Sequence, residues 1–324
     1  MHTREAPAKI NLALHVTGRR SDGYHLIESL VVFTALGDRL SARPADHDRF
    51  SLEGPEAGAL SAEDAQGNLV VRAREALRDA ARLSGRRPAP VDITLSKHLP
   101  VASGIGGGSA DAAATLKLLC DLWDYQPEPD ELARIALRLG ADVPMCLFGK
   151  PLVARGIGEA LDPVDLGFGL DLVIVNPRIG VSTPAVFSAL ESRENAPLPA
   201  LPGPGDRSAF LAWLEATRND LEPPALKLAP EIGACLAALK SSGALFARMS
   251  GSGASCFGLF EDAASAQDAA QHEGFAGPAG LRAVARNQRI CSGNHNAISG
   301  MRMRRTINNT SAPMNGRTLG SRIW

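Results

Sequence analysis

Residues 100–114, read P-V-A-S-G-I-G-G-G-S-A-D-A-A-A, set four glycines and two serines in front of a segment with helical spacing. Leu116, Leu119, Cys120 and Trp123 follow at i, i+3, i+4 and i+7, one buried face of a helix. The loop is therefore expected to end at a helix N-terminus, with Ser109 as its N-cap. Free backbone N–H groups and the positive end of the helix dipole make such a place an anion site. Glycine suits it because a phosphate approaches the backbone where no Cβ intervenes. The chemistry that follows is a nucleotide phosphate held over a helix start. A flexible Gly/Ser linker is the bland alternative, but linkers do not usually run straight into an amphipathic helix. Asp111, expected in the first helical turn, would repel a bare phosphate, and a magnesium ion between them would remove the conflict.

Two familiar phosphate loops do not fit. A Walker A loop ends in Gly-Lys-Ser/Thr, and Gly107-Gly108-Ser109 has no lysine. A dinucleotide fingerprint counted from Gly104 would need glycine where Ser109 stands. This argues against a dinucleotide oxidoreductase. A second small-residue cluster, Ser250-Gly251-Ser252-Gly253-Ala254, reads alone as a hairpin turn. Together the two clusters suggest two backbone loops facing one cleft. Lys9 alone reads as a solvated lysine, and Asp142, between a helix end and Pro144, as a turn residue.

The elements that must hold these residues come next. Ile10–Val16 alternates as a half-buried strand ending at Gly18, and 19–23 is a polar turn. Leu26–Phe33 reads as a second strand, with a turn at Gly37-Asp38. Helices are expected over Asn68–Arg82, Glu131–Leu139, Pro230–Ser242 and Ala263–Gln271. Leu172–Val175 is a buried strand, 196–206 a loop, and Phe246–Met249 with Cys256–Phe260 a strand–turn–strand. Strands and helices mix without strict alternation, so an α+β fold is expected.

The 324 residues are enough for two domains, and 45% hydrophobic content supports a core. A net charge of −1 gives no electrostatic case for nucleic acid or a membrane surface. Five cysteines without a C-x-x-C pair point to reduced thiols in the cytoplasm. No apolar run approaches the ~20 residues needed to span a bilayer. From 288 to 324 the chain carries six arginines and no acidic residue, and a disordered basic tail is expected there.

Taken together, Pro7-Ala8-Lys9-Ile10-Asn11-Leu12, the 100–114 loop, Leu139-Gly140-Ala141-Asp142-Val143-Pro144 and Ser250–Ala254 resemble the motif set of the GHMP small-molecule kinases. The resemblance covers about 7–287. Gly18-Arg19-Arg20-Ser21-Asp22-Gly23-Tyr24-His25 is similar to the signature of the branch that phosphorylates the 2-hydroxyl of a cytidyl-diphospho-methylerythritol in the non-mevalonate route to isoprenoids. Ala102-Ser103 stand where relatives often carry more glycine, and the end of the chain departs from the family.

The resemblance implies a ribosomal-protein-S5-like N-terminal domain (1–161) and a ferredoxin-like C-terminal domain (162–287), with the active site between them. It implies ATP and Mg²⁺. Asp142 would take the hydroxyl proton, and Lys9 would orient Asp142 and offset charge. Pro100, Val101, Ala102, Ser103, Gly104, Ile105, Gly106, Gly107, Gly108, Ser109 and Ala110 would wrap the triphosphate, with Asn68 and Leu69 near the adenine. Ser109 is a weak candidate for the Mg²⁺ shell. Asn11, Gly251 and Ser252 would lie by the acceptor. Tyr24 and Phe187 would stack on the cytosine and His25 would read its edge; without the resemblance Phe187 reads as a core aromatic. A homoserine- or mevalonate-type kinase is the alternative, and a non-catalytic relative a further one, although that would be expected to lack Lys9 or Asp142.

Overall fold

The computed structural model describes residues 1–60, 67–101, 103–271 and the backbone of 281–286. The expected tail at 288–324 and Ala102 of the glycine loop lie outside the described residues. In chain order the strands are β1 (His2–Arg19), β2 (His25–Pro44), β3 (Arg49–Glu53), β4 (Val91–Ser96), β5 (Leu152–Gly156), β6 (Ala160–Pro163), β7 (Asp171–Asn176), β8 (Phe246–Met249), β9 (Cys256–Phe260) and β10 (Leu281–Arg286). The helices are α1 (Leu69–Leu83), α2 (Gly107–Leu122), α3 (Pro129–Leu139), α4 (Val143–Phe148), α5 (Thr183–Ser188), α6 (Arg207–Ala216), α7 (Glu222–Leu228), α8 (Glu231–Ser241) and α9 (Ala263–Ala270).

A long β1–β2 hairpin organises the first sheet. β1 pairs along one edge of β2, while β4 and β5 share the other edge. β3 adds to β4 in parallel and β6 to β5 antiparallel. The second sheet runs β10-β7-β9-β8, all antiparallel. Pairing is thus antiparallel in all but one ladder, which is the α+β arrangement expected. One face of the first sheet packs on α1 to α4 through Val31, Phe33, Leu77 and Leu116. Ile10, Leu12, Leu30 and Val32 meet Leu172, Ile174 and Phe257 in a cluster shared by the two sheets. The site lies along this junction.

Two expectations are corrected here. No turn forms at Gly37-Asp38: β2 runs through it, pairing Gly37 with Pro7 and Asp38 with Ala6. Glycine stands there because a Cβ would lie 2.4 Å from the Ala6 carbonyl oxygen, so close approach, not chain reversal, explains it. Ser109 is not the N-cap of α2. Gly106 is, in the left-handed conformation (φ 67°, ψ 22°), and Ser109 is the third residue of the helix.

Candidate active site

Lys9 and Asp142 are 133 positions apart in sequence, and Lys9 Nζ donates to Asp142 Oδ2 at 2.7 Å. The side chain of Lys9 is 5% exposed and that of Asp142 38%, so the pair is buried on one side and open on the other. Lys9 stands at a register shift in the β1–β2 ladder, and a second shift follows Asn11. Such bulges re-aim side chains beside sites. Asp142 sits at the start of α4, where the tight segment between α3 and α4 holds its backbone. This geometry replaces both bland readings, of a solvated lysine and of a plain turn aspartate.

The glycine loop closes against Lys9. Ile105 carbonyl accepts from the Lys9 N–H at 2.9 Å, and Ile105 itself is buried. Ser103 Oγ donates to the Pro100 carbonyl at 2.7 Å, which tightens the entry next to Val101. Gly106, Gly107, Gly108, Ser109 and Ala110 form the turn into α2. The Ala110 N–H already donates to the Gly106 carbonyl at 2.8 Å; the N–H groups of Gly107, Gly108 and Ser109 before it are the ones an α-helix leaves without partners of its own. Leu69 at the start of α1 packs beside Gly108. Asn68 caps α1, its side chain accepting from Val70 N–H at 2.9 Å, so its oxygen already has a structural task.

Asp111 does not face this loop. Its carboxylate is 3% exposed and accepts from Lys97 Nζ at 2.9 Å. Desolvation pushes its carboxyl up to about 7, against the pull of the Lys97 ammonium. The expected conflict between Asp111 and a phosphate, and the need for a magnesium ion to relieve it, therefore disappear.

The second glycine turn docks directly on the first. A Cβ at Gly104 (φ 73°) would lie 2.5 Å from Ser250 O and 2.7 Å from Gly253 O, so only glycine allows the approach. Ser250 Oγ donates to the Gly104 carbonyl and Ser255 N–H to the Ser103 carbonyl, each at 3.1 Å. Asn11 N–H donates to Ser250 Oγ at 3.1 Å, and Asn11 Oδ1 lies beside Gly251, buried and without a hydrogen-bond partner. Lys9, Asn11, both glycine clusters and Asp142 thus converge, as the sequence suggested for the two loops.

Two of the three aromatic residues expected at the acceptor end pack on each other. His25, the first residue of β2, stacks on Phe187 of α5, with ring centroids 4.7 Å apart and planes at 25°. Phe187 is half-buried, whereas Tyr24 in the preceding turn is 42% exposed. Tyr24 immediately precedes β2 and stands next in the chain to the ring that packs on Phe187. Desolvation, then Arg19 and Arg193, lowers the His25 pKa, and its Nε2 is buried without a partner. Ser252 Oγ lies 2.8 Å from Thr183 Oγ1, joining the second glycine turn to α5.

Three residues that sequence reasoning missed hold this junction. Asn219 Nδ2 donates to the Met249 and Gly251 carbonyls at 2.9 and 2.8 Å. Arg248 donates to the carbonyls of Leu12, Leu214 and Thr217, and burial pulls its pKa down to about 10. Ser29, fully buried, donates to Ala13 O and accepts from Asn11 Nδ2, both at 2.7 Å. No local spacing marks any of them, because each acts across the fold.

Comparison with known proteins identifies the family. Residues 68–150 match the family model of the GHMP kinase N-terminal domain and 177–274 that of the GHMP kinase C-terminal domain. The chain is 57% identical over 266 residues to a 4-diphosphocytidyl-2-C-methyl-D-erythritol kinase of Chelativorans sp., covering 82% of this chain and 89% of the relative. It is also 57% identical over 268 residues to the kinase of the same name from Mesorhizobium japonicum, covering 83% and 90%. A crystal structure of a 4-(cytidine 5'-diphospho)-2C-methyl-D-erythritol kinase superposes with a TM-score of 0.72 at 33% identity, over 88% of this chain and 99% of that one. A homoserine kinase from Cytophaga hutchinsonii shares the fold, with a TM-score of 0.65 at 22% identity, over 89% and 95%. The chain thus belongs to the GHMP kinases, a family of small-molecule kinases, and within them to the 4-diphosphocytidyl-2-C-methyl-D-erythritol kinases.

Proposed function

We propose that this protein transfers the γ-phosphoryl group of ATP to the 2-hydroxyl of 4-diphosphocytidyl-2-C-methyl-D-erythritol, giving the 2-phosphate and ADP, in the cytoplasm. The observation that carries the mechanism is the Lys9–Asp142 pair at the foot of the glycine loop. The half-exposed Asp142 carboxylate takes the proton of the acceptor hydroxyl as its oxygen bonds to the γ-phosphorus and the bond to the ADP oxygen breaks. Lys9 holds Asp142 in place and supplies a fixed positive charge near the transferring group. Catalysis of this kind is mostly positioning and charge stabilisation.

The glycine loop from Pro100 to Ala110 receives the triphosphate, with the start of α2 as its anion site. Leu69 offers an apolar surface for the adenine. Mg²⁺, when bound, offsets charge on the phosphate oxygens. The Ser109 hydroxyl, on the first turn of α2, is a weak candidate for a contact to that ion. Asn11, Gly251 and Ser252 border the acceptor, and the His25–Phe187 stack forms one wall for its cytosine, with Tyr24 as the other. The reducing compartment is supported by Cys120, Cys146, Cys235 and Cys256, all free and buried. No described helix is long and apolar enough to cross a membrane.

The test is ADP production from Mg-ATP with the cytidylated acceptor, beside the same acceptor lacking cytidine. Turnover confined to the first supports both reaction and pocket. Equal turnover with both would remove the cytidine assignment, and turnover with neither would favour another alcohol acceptor.

A further inference from the structure

A buried ionic cluster lies directly behind the glycine loop and takes no part in the mechanism above. Lys97 follows β4 and is 2% exposed; Asp38 on β2 is 0% and Asp111 on α2 is 3% exposed. Lys97 Nζ donates to Asp38 Oδ2 at 2.5 Å and to Asp111 Oδ2 at 2.9 Å. The other oxygen of Asp38 accepts the backbone N–H groups of His98 and Leu99, at 2.6 and 2.8 Å. Those two residues lead straight into Pro100, where the loop begins, while Asp111 stands just beyond its end. One lysine and two aspartates therefore tie the entry of the loop, its exit helix and the central strand of the sheet. The ammonium also sits 3.1 Å from the point where a Cβ on Gly107 would be, directly against the first residue of α2.

We propose that Asp38, Lys97 and Asp111 are positioning residues that clamp both ends of the glycine loop and so set affinity for the nucleotide and not for the acceptor. The proposal rests on the loop being the triphosphate site. Burying a lysine between two aspartates is costly, the more so as Asp111 Oδ1 is buried without a hydrogen-bond partner, and packed apolar residues would stabilise as well or better. What the ions add is a fixed distance between the two loop ends, set by directional hydrogen bonds from one ammonium to both carboxylates. The Asp111 and Asp38 carboxylates outweigh desolvation and hold Lys97 above its ordinary pKa, so that charge persists at neutral pH.

Steady-state kinetics with separate titrations of Mg-ATP and acceptor test this. Lys97→Met leaves two carboxylates facing each other, so Lys97→Met/Asp111→Asn is the main variant and thermal melting checks that it folds. The expected result is a KM for ATP raised about tenfold or more, as for any misplaced positioning group, with the KM for the acceptor within about twofold and Lys97→Arg closer to wild type. A folded double variant with an unaltered KM for ATP, or with both KM values raised alike, would overturn the proposal. Gly108→Asp separates it from its premise. That carboxylate at the start of α2 should itself raise the KM for ATP; if it does not, the loop is not the phosphate site. If it does while the double variant binds ATP normally, the clamp alone is refuted.

Discussion

Two lysine–aspartate arrangements stand beside the first sheet, and their difference lies in exposure more than in chemistry. Lys9 and Asp142 share one hydrogen bond at 2.7 Å, with the aspartate 38% exposed. Lys97 is shared between two aspartates whose side chains are 0% and 4% exposed. A carboxylate that faces the cleft can exchange a proton with a substrate; one walled in by a sheet and a helix cannot. The open pair is suited to reaction, the closed cluster to fixing distances. Both depend on register: Lys9 at a break in the β1–β2 ladder, Asp38 in the unbroken stretch of β2.

The comparison breaks most visibly under substitution of the open pair. Asp142→Asn is expected to lower kcat by about 10²–10⁴-fold with a similar Tm, the range for losing a general base. Lys9→Met should lower kcat by about 10²–10³-fold, as for loss of one group that stabilises transition-state charge. Both are read from ADP release at saturating substrates. The closed cluster should answer in the opposite way. Lys97→Met is expected to cost about 3–5 kcal/mol of stability, measured by denaturant unfolding, because it strands buried carboxylates. Next in size, Phe187→Ala should raise the KM for the cytidylated acceptor by about tenfold, since one base stack is worth about 1–3 kcal/mol. An acceptor without cytidine should not notice the change.

The smallest effect comes from a third buried group, neither catalytic nor clamping. His15 is 1% exposed; its Nδ1 lies 2.9 Å from Ala196 O, and its Nε2 accepts from Arg218 N–H at 3.2 Å. Desolvation lowers its pKa from the ordinary 6.5. The unfolded chain therefore takes up a proton near 6.5 that the fold resists. The contribution of His15 to stability is complete above that pH and declines as the pH falls below it, until the folded state is also protonated. Urea unfolding between pH 7.5 and 5.5 should show this loss, and His15→Gln should flatten it.

Much of this was legible in the sequence, for identifiable reasons. The β1–β2 hairpin, β7 to β9, the helices α1, α2, α3, α8 and α9 and the glycine loop announce themselves by period and by small residues, whereas the short elements β3, β5, β6 and α4 to α7 carry too few residues or too irregular a pattern to do so. Lys9 and Asp142 do not; as single residues they suggest a surface lysine and a turn, and the resemblance to a kinase family, not spacing, singles them out. Gly37-Asp38 misleads because glycine and aspartate mark turns statistically. Here the glycine admits the Ala6 backbone and the aspartate pairs with Lys97. Asp111 misleads in the same way: its place near a helix start suggests a charge facing the ligand, but its partner is 14 residues upstream and inside the core. The His25–Phe187 stack joins residues more than 160 positions apart, and no local pattern could show which ring faces which.

The most direct test of the division between an open reacting pair and a closed clamp is the transfer step itself in Asp142→Asn. Enzyme carrying both substrates would be started with Mg²⁺ and quenched over milliseconds to minutes, and the phosphorylated acceptor measured. The account predicts affinities for ATP and acceptor within about threefold of wild type and a transfer rate about 10²-fold lower or slower still. A transfer rate near that of the wild type, with both substrates bound, would contradict it.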